Sequence, residues 1–227
     1  VIALLLVTDP AYDDELILRT VDAVGAALPR GALGVQLRDK VRSVSQVRAL
    51  ASKLRRTTAD RGALLVINGD LELARDVAAD GVHLGGGARS VADARALCGA
   101  EAWVSVAAHS DAAVRDALAD GANAAVVSPI YPTAPPPVSA PSESRIRLRD
   151  LVVKSPRGVD ALTSARALVD SNLAVFALGG ITPENAASCV AAGADGVAVI
   201  RAVFASPDPV AAARALHASV VGTSRLC

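Results

Sequence analysis

In the run Val35-Gln36-Leu37-Arg38-Asp39-Lys40, polar side chains begin where a short apolar run, Gly31 to Val35, stops. Gln36, Arg38 and Lys40 alternate, so in an extended segment they project from one face. An amide and two cations at one strand end suit a diphosphate or another polyanion, and a guanidinium can grip two of its oxygens at once. Two further stretches suit a phosphate. Gly179-Gly180-Ile181 precedes Thr182-Pro183-Glu184-Asn185, a helix start with Pro in the first turn, and can present backbone N–H groups. Ile200-Arg201 can do the same before the last helix. A solvated strand end and two ordinary turns would account for each stretch taken alone.

These residues need elements that bring them together, and the chain supplies a regular series. Short apolar runs fall at Ile2–Val7, Ala32–Leu37, Ala63–Ile67, Gly81–Leu84, Ala102–Val106, Ala124–Val127, Ala174–Leu178 and Gly196–Ile200. Amphipathic Ala/Leu/Val/Arg segments alternate with them: Asp13–Leu28, Val44–Arg61, Leu71–Ala79, Val91–Leu97, Asp111–Asp120, Val159–Asp170, Glu184–Ala192 and Pro209–Val221. Strict strand–helix alternation implies parallel βαβ units, and eight of them close into a single-domain (β/α)8 TIM barrel spanning residues 1–227. An open doubly wound sheet is the competitor, but no GxGxxG opens the first helix. Ala79-Asp80-Gly81, Ala119-Asp120-Gly121 and Ala194-Asp195-Gly196 recur as helix end and strand start, an architectural repeat.

One stretch breaks the rhythm. After Ser128-Pro129-Ile130-Tyr131-Pro132-Thr133 the chain turns rich in Pro and Ser, which prevents regular helix, and 134–153 reads as an inserted loop after the sixth strand. In a barrel such a loop lies on the C-terminal face, where chemistry occurs.

Composition narrows the classes. Hydrophobic residues make up 52% and aromatics 2%, so the core is built from Ala, Val, Leu and Ile, as in strands buried on both faces. A formal net charge of zero argues against a general nucleic-acid binder, so any anion site is local. Cys98, Cys189 and Cys227 form no CxxC pair, which points to a reduced, cytoplasmic setting. The opening Val1–Val7 is too short to span a membrane and has no basic leader, so it reads as a strand. The lack of Met points to a trimmed or partial chain. Of the histidines, His83 inside a strand reads as a packed, hydrogen-bonded wall residue, His109 as a rim residue and His217 as surface.

Taken in order, Val35–Lys40, Ile67-Asn68, Asp80–Gly85, Val104–Val106 with His109-Ser110, Ser128–Thr133, Ala177–Ile181 and Ala192–Ile200 resemble thiamine phosphate synthase over nearly the whole chain. The resemblance implies a (β/α)8 transferase that joins hydroxymethylpyrimidine diphosphate to thiazole phosphate, giving thiamine phosphate and pyrophosphate. It implies that Gln36, Arg38, Lys40 and Asn68 hold the pyrimidine diphosphate and that Ser110 touches it. Thr133, Gly179, Gly180, Ile200 and Arg201 would hold the thiazole phosphate. Lys154, displaced by the insertion, would join Arg38 and Lys40 in catalysis. The family binds Mg2+ through two Asp, where this chain has Gly69 and Ala88, which leaves Asp70 as the candidate ligand. Arg201 stands where the family has Ser. Two other readings share the fold: a thiazole tautomerase-like isomerase, whose strand-six His is Pro129 here, and a divergent phosphate-binding barrel with little synthase activity. The partners implied are the small phosphorylated substrates, with no nucleic acid and no membrane, and a homo-oligomer is left open.

Overall fold

The computed structural model describes residues 2–86, 89–133, 155–170 and 172–223. The expected insertion, 134–153, and Lys154 lie outside the described residues. Eight parallel strands close into a barrel in sequence order, β1 through β8, with β1 paired to β8. The chain runs β1 (Leu4–Val7), α1 (Asp14–Ala27), β2 (Leu33–Leu37), α2 (Val44–Arg61), β3 (Leu64–Asn68), α3 (Leu71–Asp76), β4 (Gly81–Leu84) and α4 (Val91–Cys98). It continues through β5 (Trp103–Ala108), α5 (Asp111–Ala119), β6 (Ala124–Val127), α6 (Asp160–Leu168), β7 (Ala174–Leu178), α7 (Ala186–Ala191), β8 (Gly196–Val199), α8 (Arg201–Phe204) and α9 (Pro209–Thr223).

Alternation along each strand sorts the side chains. Leu33, Val35 and Leu37 of β2 pack outward with Ile17, Val21 and Leu50 of the helices. Gly34 and Gln36 turn inward, so a short strand yields one helix-facing and one barrel-facing row. The lower barrel is filled by Leu5, Val7, Ala124, Val126, Phe176 and Ala198. Trp103 meets Phe176 edge to face, with ring centroids 6.4 Å apart. The bottom is therefore a plug, and polar chemistry is confined to the opposite mouth.

The helix-end repeat has a physical purpose. Asp80, ahead of β4, accepts from the Leu65 N–H of β3 at 2.7 Å and from Arg55 of α2 at 2.7 Å. Asp195, ahead of β8, accepts from Val175 N–H at 2.7 Å and from Arg166 at 2.8 Å. In the middle copy the clamp is Asn123 rather than Asp120, accepting from Val104 N–H at 2.8 Å and Arg95 at 3.4 Å. Each clamp ties the start of an even-numbered strand to the neighbouring strand and to a helix, at the end away from the site.

Some boundaries differ from expectation. α7 begins at Ala186, not Glu184, because Thr182–Asn185 closes a turn of its own: Thr182 N–H donates to Asn185 Oδ1 at 2.8 Å, and Asn185 Nδ2 to the Gly180 carbonyl at 3.0 Å. The short α8, opening at Arg201, was not expected. Four residues carry too little periodicity to be read from sequence.

Candidate active site

The site is built first by Thr8, which sequence reasoning overlooked. It lies just past β1 and is 1% exposed. Its Oγ1 accepts from the Arg38 N–H at 3.0 Å and donates to the Arg38 carbonyl at 3.3 Å. Asp39 then turns the chain. Its carboxylate accepts from the Val41 and Arg42 N–H groups at 2.8 and 3.0 Å and pairs with the Arg42 guanidinium, which also pairs with Asp14 of α1. Burial works to raise the Asp39 pKa, but those N–H donors and Arg42 outweigh it and hold the group ionised. So Asp39 is structural, while Arg38, half-buried, and Lys40, exposed, stand at the mouth.

Next to them, Gln36 is 4% exposed and its Nε2 donates to Asn68 Oδ1 at 3.1 Å. The bond orders both amides into a fixed pattern of donor and acceptor across β2 and β3. On the next pair of strands, His83 Nδ1 lies 2.9 Å from Ser105 Oγ, with His83 7% exposed and Ser105 fully buried. Burial, then the charges of Arg38, His109 and Lys40, push the His83 pKa down to about 4. The imidazole is neutral at pH 7, and the fixed charges beside it, Arg38 and Lys40, are positive.

A stability prediction follows with a definite sign. Below pH 6.5 the unfolded imidazole takes up a proton that the folded one refuses until about pH 4. Stability is therefore expected to fall as pH drops through that window, by roughly 3 kcal/mol in full, and to level off below it. Urea unfolding across the window, in wild type and in His83→Gln, checks this. If both proteins show the same slope against pH, burial of a neutral His83 is not the cause.

His109 lies on the neighbouring rim. Its Nδ1 is 2.9 Å from the Ser128 carbonyl and 3.3 Å from Ser128 Oγ. A carbonyl only accepts, so Nδ1 carries the hydrogen. The rims of β6 and β7 are joined: Ile130 N–H donates to the Leu178 carbonyl and Tyr131 N–H to the Gly179 carbonyl, each at 2.9 Å. This close approach requires glycine at 179 and 180, where φ is +104° and +65°. A Cβ on Gly180 would sit 2.6 Å from the Pro132 carbonyl oxygen. Thr133 follows on the same rim and is exposed.

Ile200 and Arg201 are half-buried at the end of β8. The Arg201 charge reaches Tyr12, whose pKa is raised by burial and Asp9 and partly restored by Arg201. Tyr12 stacks on Phe204 at 5.2 Å, so α8 and the loop after β1 form one wall. Arg157 is a second residue that sequence reasoning missed. Its N–H donates to the Pro129 carbonyl at 2.8 Å and its Nη2 to Asp111 at 3.1 Å, which ties the β6 rim to α5.

Two expected site residues also cap helices. The Ser110 hydroxyl accepts from Ala113 N–H at 3.2 Å as the α5 cap. Asp70 Oδ1 accepts from Leu73 N–H at 2.8 Å as the α3 cap. Next to Asp70, Glu72 is paired with Arg89 at 2.7 Å. Among the described residues no three acids, histidines or cysteines group as a metal site. Mg2+ wants hard, negatively charged oxygens free to point at it. Gly69 offers none, the Asp70 carboxylate caps a helix, and a guanidinium neutralises Glu72, so this donor set does not fit the ion.

A family model described as thiamine monophosphate synthase matches residues 4–146 and 152–203. The thiamine-phosphate synthase of Azoarcus sp. (strain BH72) is 38% identical over 216 residues, covering 95% of each chain. That of Natronomonas pharaonis is 37% identical over 205 residues, covering 90% of this chain and 89% of its own. The solved thiamine phosphate pyrophosphorylase from Pyrococcus furiosus superposes with a TM-score of 0.78 at 24% identity, covering 97% of this chain and 96% of that one, a likeness of fold.

Proposed function

The chain belongs to the thiamine monophosphate synthase family, and from that premise we propose that it joins a hydroxymethylpyrimidine diphosphate to a thiazole phosphate, giving thiamine phosphate and pyrophosphate. One observation carries the reading: Arg38 and Lys40 place positive charge at the barrel mouth, next to the ordered amides of Gln36 and Asn68. A diphosphate leaving group needs the charge, and a heteroaromatic ring needs the amides.

The chemistry asks little of a base. The bond from the pyrimidine methylene to the diphosphate oxygen breaks with both electrons going to oxygen, and the thiazole nitrogen then supplies a pair to the carbocation. Catalysis is stabilisation of charge as it builds on the leaving oxygen, which is the role of Arg38 and Lys40. Lys154, beyond the described residues, is proposed as a third cation on the same group. The His83–Ser105 pair stays neutral and presents no carboxylate to the departing anion. Thr133, Gly179, Gly180 and the Ile200-Arg201 backbone are proposed to hold the thiazole phosphate, and Ser110, at the exposed α5 cap, to reach the first substrate. A tautomerase-like reaction is disfavoured by Pro129, which cannot exchange a proton.

Incubating the purified chain with both substrates and following thiamine phosphate and pyrophosphate tests the proposal. Equal amounts of the two products are expected, and none of either would overturn it.

A further inference from the structure

Between the rims of β3 and β4 the structure holds an ion pair of its own. Arg89, in the loop after β4, donates from Nη2 to Glu72 Oε1 at 2.7 Å, and both side chains are about half exposed, 52% each. Asp70 in the same stretch is committed to the α3 cap. The fixed charges felt by buried His83, one strand end away, are those of Arg38 and Lys40. The β3–β4 rim commits Asp70 to a cap and Glu72 to an ion pair, beside a mouth that carries Arg38 and Lys40, the reverse of what a resident divalent cation requires.

We propose that the chain binds the diphosphate group with side-chain cations alone, and that Arg89 supplies the charge which a divalent cation would otherwise bring to the β3–β4 rim. The inference rests on the reading of the site as a diphosphate site. Glu72 holds the Arg89 guanidinium on the rim. An ion pair this exposed is weak, so transfer of Arg89 to a phosphate costs little. A guanidinium fork also matches two phosphate oxygens, which gives direction as well as charge.

The test is calorimetry of the whole chain with inorganic pyrophosphate as the probe, in EDTA and in magnesium. Binding in EDTA is expected to be retained. Arg89→Ala should weaken it about tenfold, the size of one lost charge-assisted contact, and Arg89→Lys should recover part. Glu72→Gln, which releases Arg89, should tighten binding by up to about fivefold. Both positions are exposed, and melting curves confirm that the variants fold. Binding lost in EDTA and restored by magnesium overturns the inference. So does an Arg89→Ala variant with wild-type affinity, or a Glu72→Gln variant that binds more weakly, since Glu72 would then be a ligand.

A parallel synthase assay separates this inference from the function it rests on. Product formed only with magnesium sinks metal independence and leaves the synthase reading standing. Pyrophosphate bound in EDTA with no product under any condition does the opposite.

Discussion

An Arg38→Ala chain is expected to fold normally and to bind pyrophosphate about a hundredfold more weakly, a loss of about 3 kcal/mol. The fold survives because Arg38 serves the barrel through its backbone, which Thr8 clamps at both the N–H and the carbonyl. Those bonds do not involve the guanidinium. Binding suffers because the side chain is half-buried at the mouth, where charge is less screened than on an open surface. Synthase turnover should fall further than affinity, since charge on the leaving oxygen peaks in the transition state. Arg38→Lys keeps the charge but loses the fork, and should fall between the two. Calorimetry with pyrophosphate and a melting curve decide it. Undiminished affinity in a well-folded Arg38→Ala protein would mean that the anion binds elsewhere.

The second large effect is structural. Gly81→Ala is expected to destabilise the barrel by about 4 kcal/mol, lowering the melting temperature by roughly 8–16 °C. Gly81 opens β4 directly opposite Trp103 of β5. A Cβ there would sit 2.0 Å from the Trp103 carbonyl oxygen and 2.9 Å from its carbonyl carbon. Neither atom can swing aside as a side chain would. The strands cannot slide either, because the Val82–Val104 and His83–Ser105 pairs fix the register. Replacing glycine with alanine ordinarily stabilises by about 0.4–1 kcal/mol through the unfolded chain, far too little to offset this overlap. Gly222→Ala is the contrast. It lies in α9 with open space around it, and should be neutral or slightly stabilising. A Gly81→Ala protein melting with the wild type would show that β4 and β5 are not held as described.

Both substitutions act through features that differ in how legible they are. The position of Arg38 could be read from alternation alone, because the period of a strand is local and fixes which residues share a face. The cost at Gly81 could not, since nothing in its neighbourhood in sequence announces the Trp103 carbonyl. The same division runs through the site. Gln36 and Asn68 were legible as strand-end amides, but their mutual bond joins residues 32 apart. Thr8 lies past the expected end of the first strand, and only pairing with β2 makes it the clamp of Arg38. Asp70 and Ser110 have the right chemistry for ligands, and both also cap helices, a second use that sequence shows equally well.

The alternation of eight strands with their longer helices, the closed barrel, the polar rim and the family were determined by the sequence itself. Each is carried by short-range periodicity or by a run of motifs in order. Three matters were decided only by tertiary structure: that the middle copy of the strand clamp is Asn123, that Glu72 is held by Arg89, and that the buried His83 stays neutral beside Arg38 and Lys40. These depend on distances between strand ends and on exclusion of water, and neither exists until the eight strands have closed.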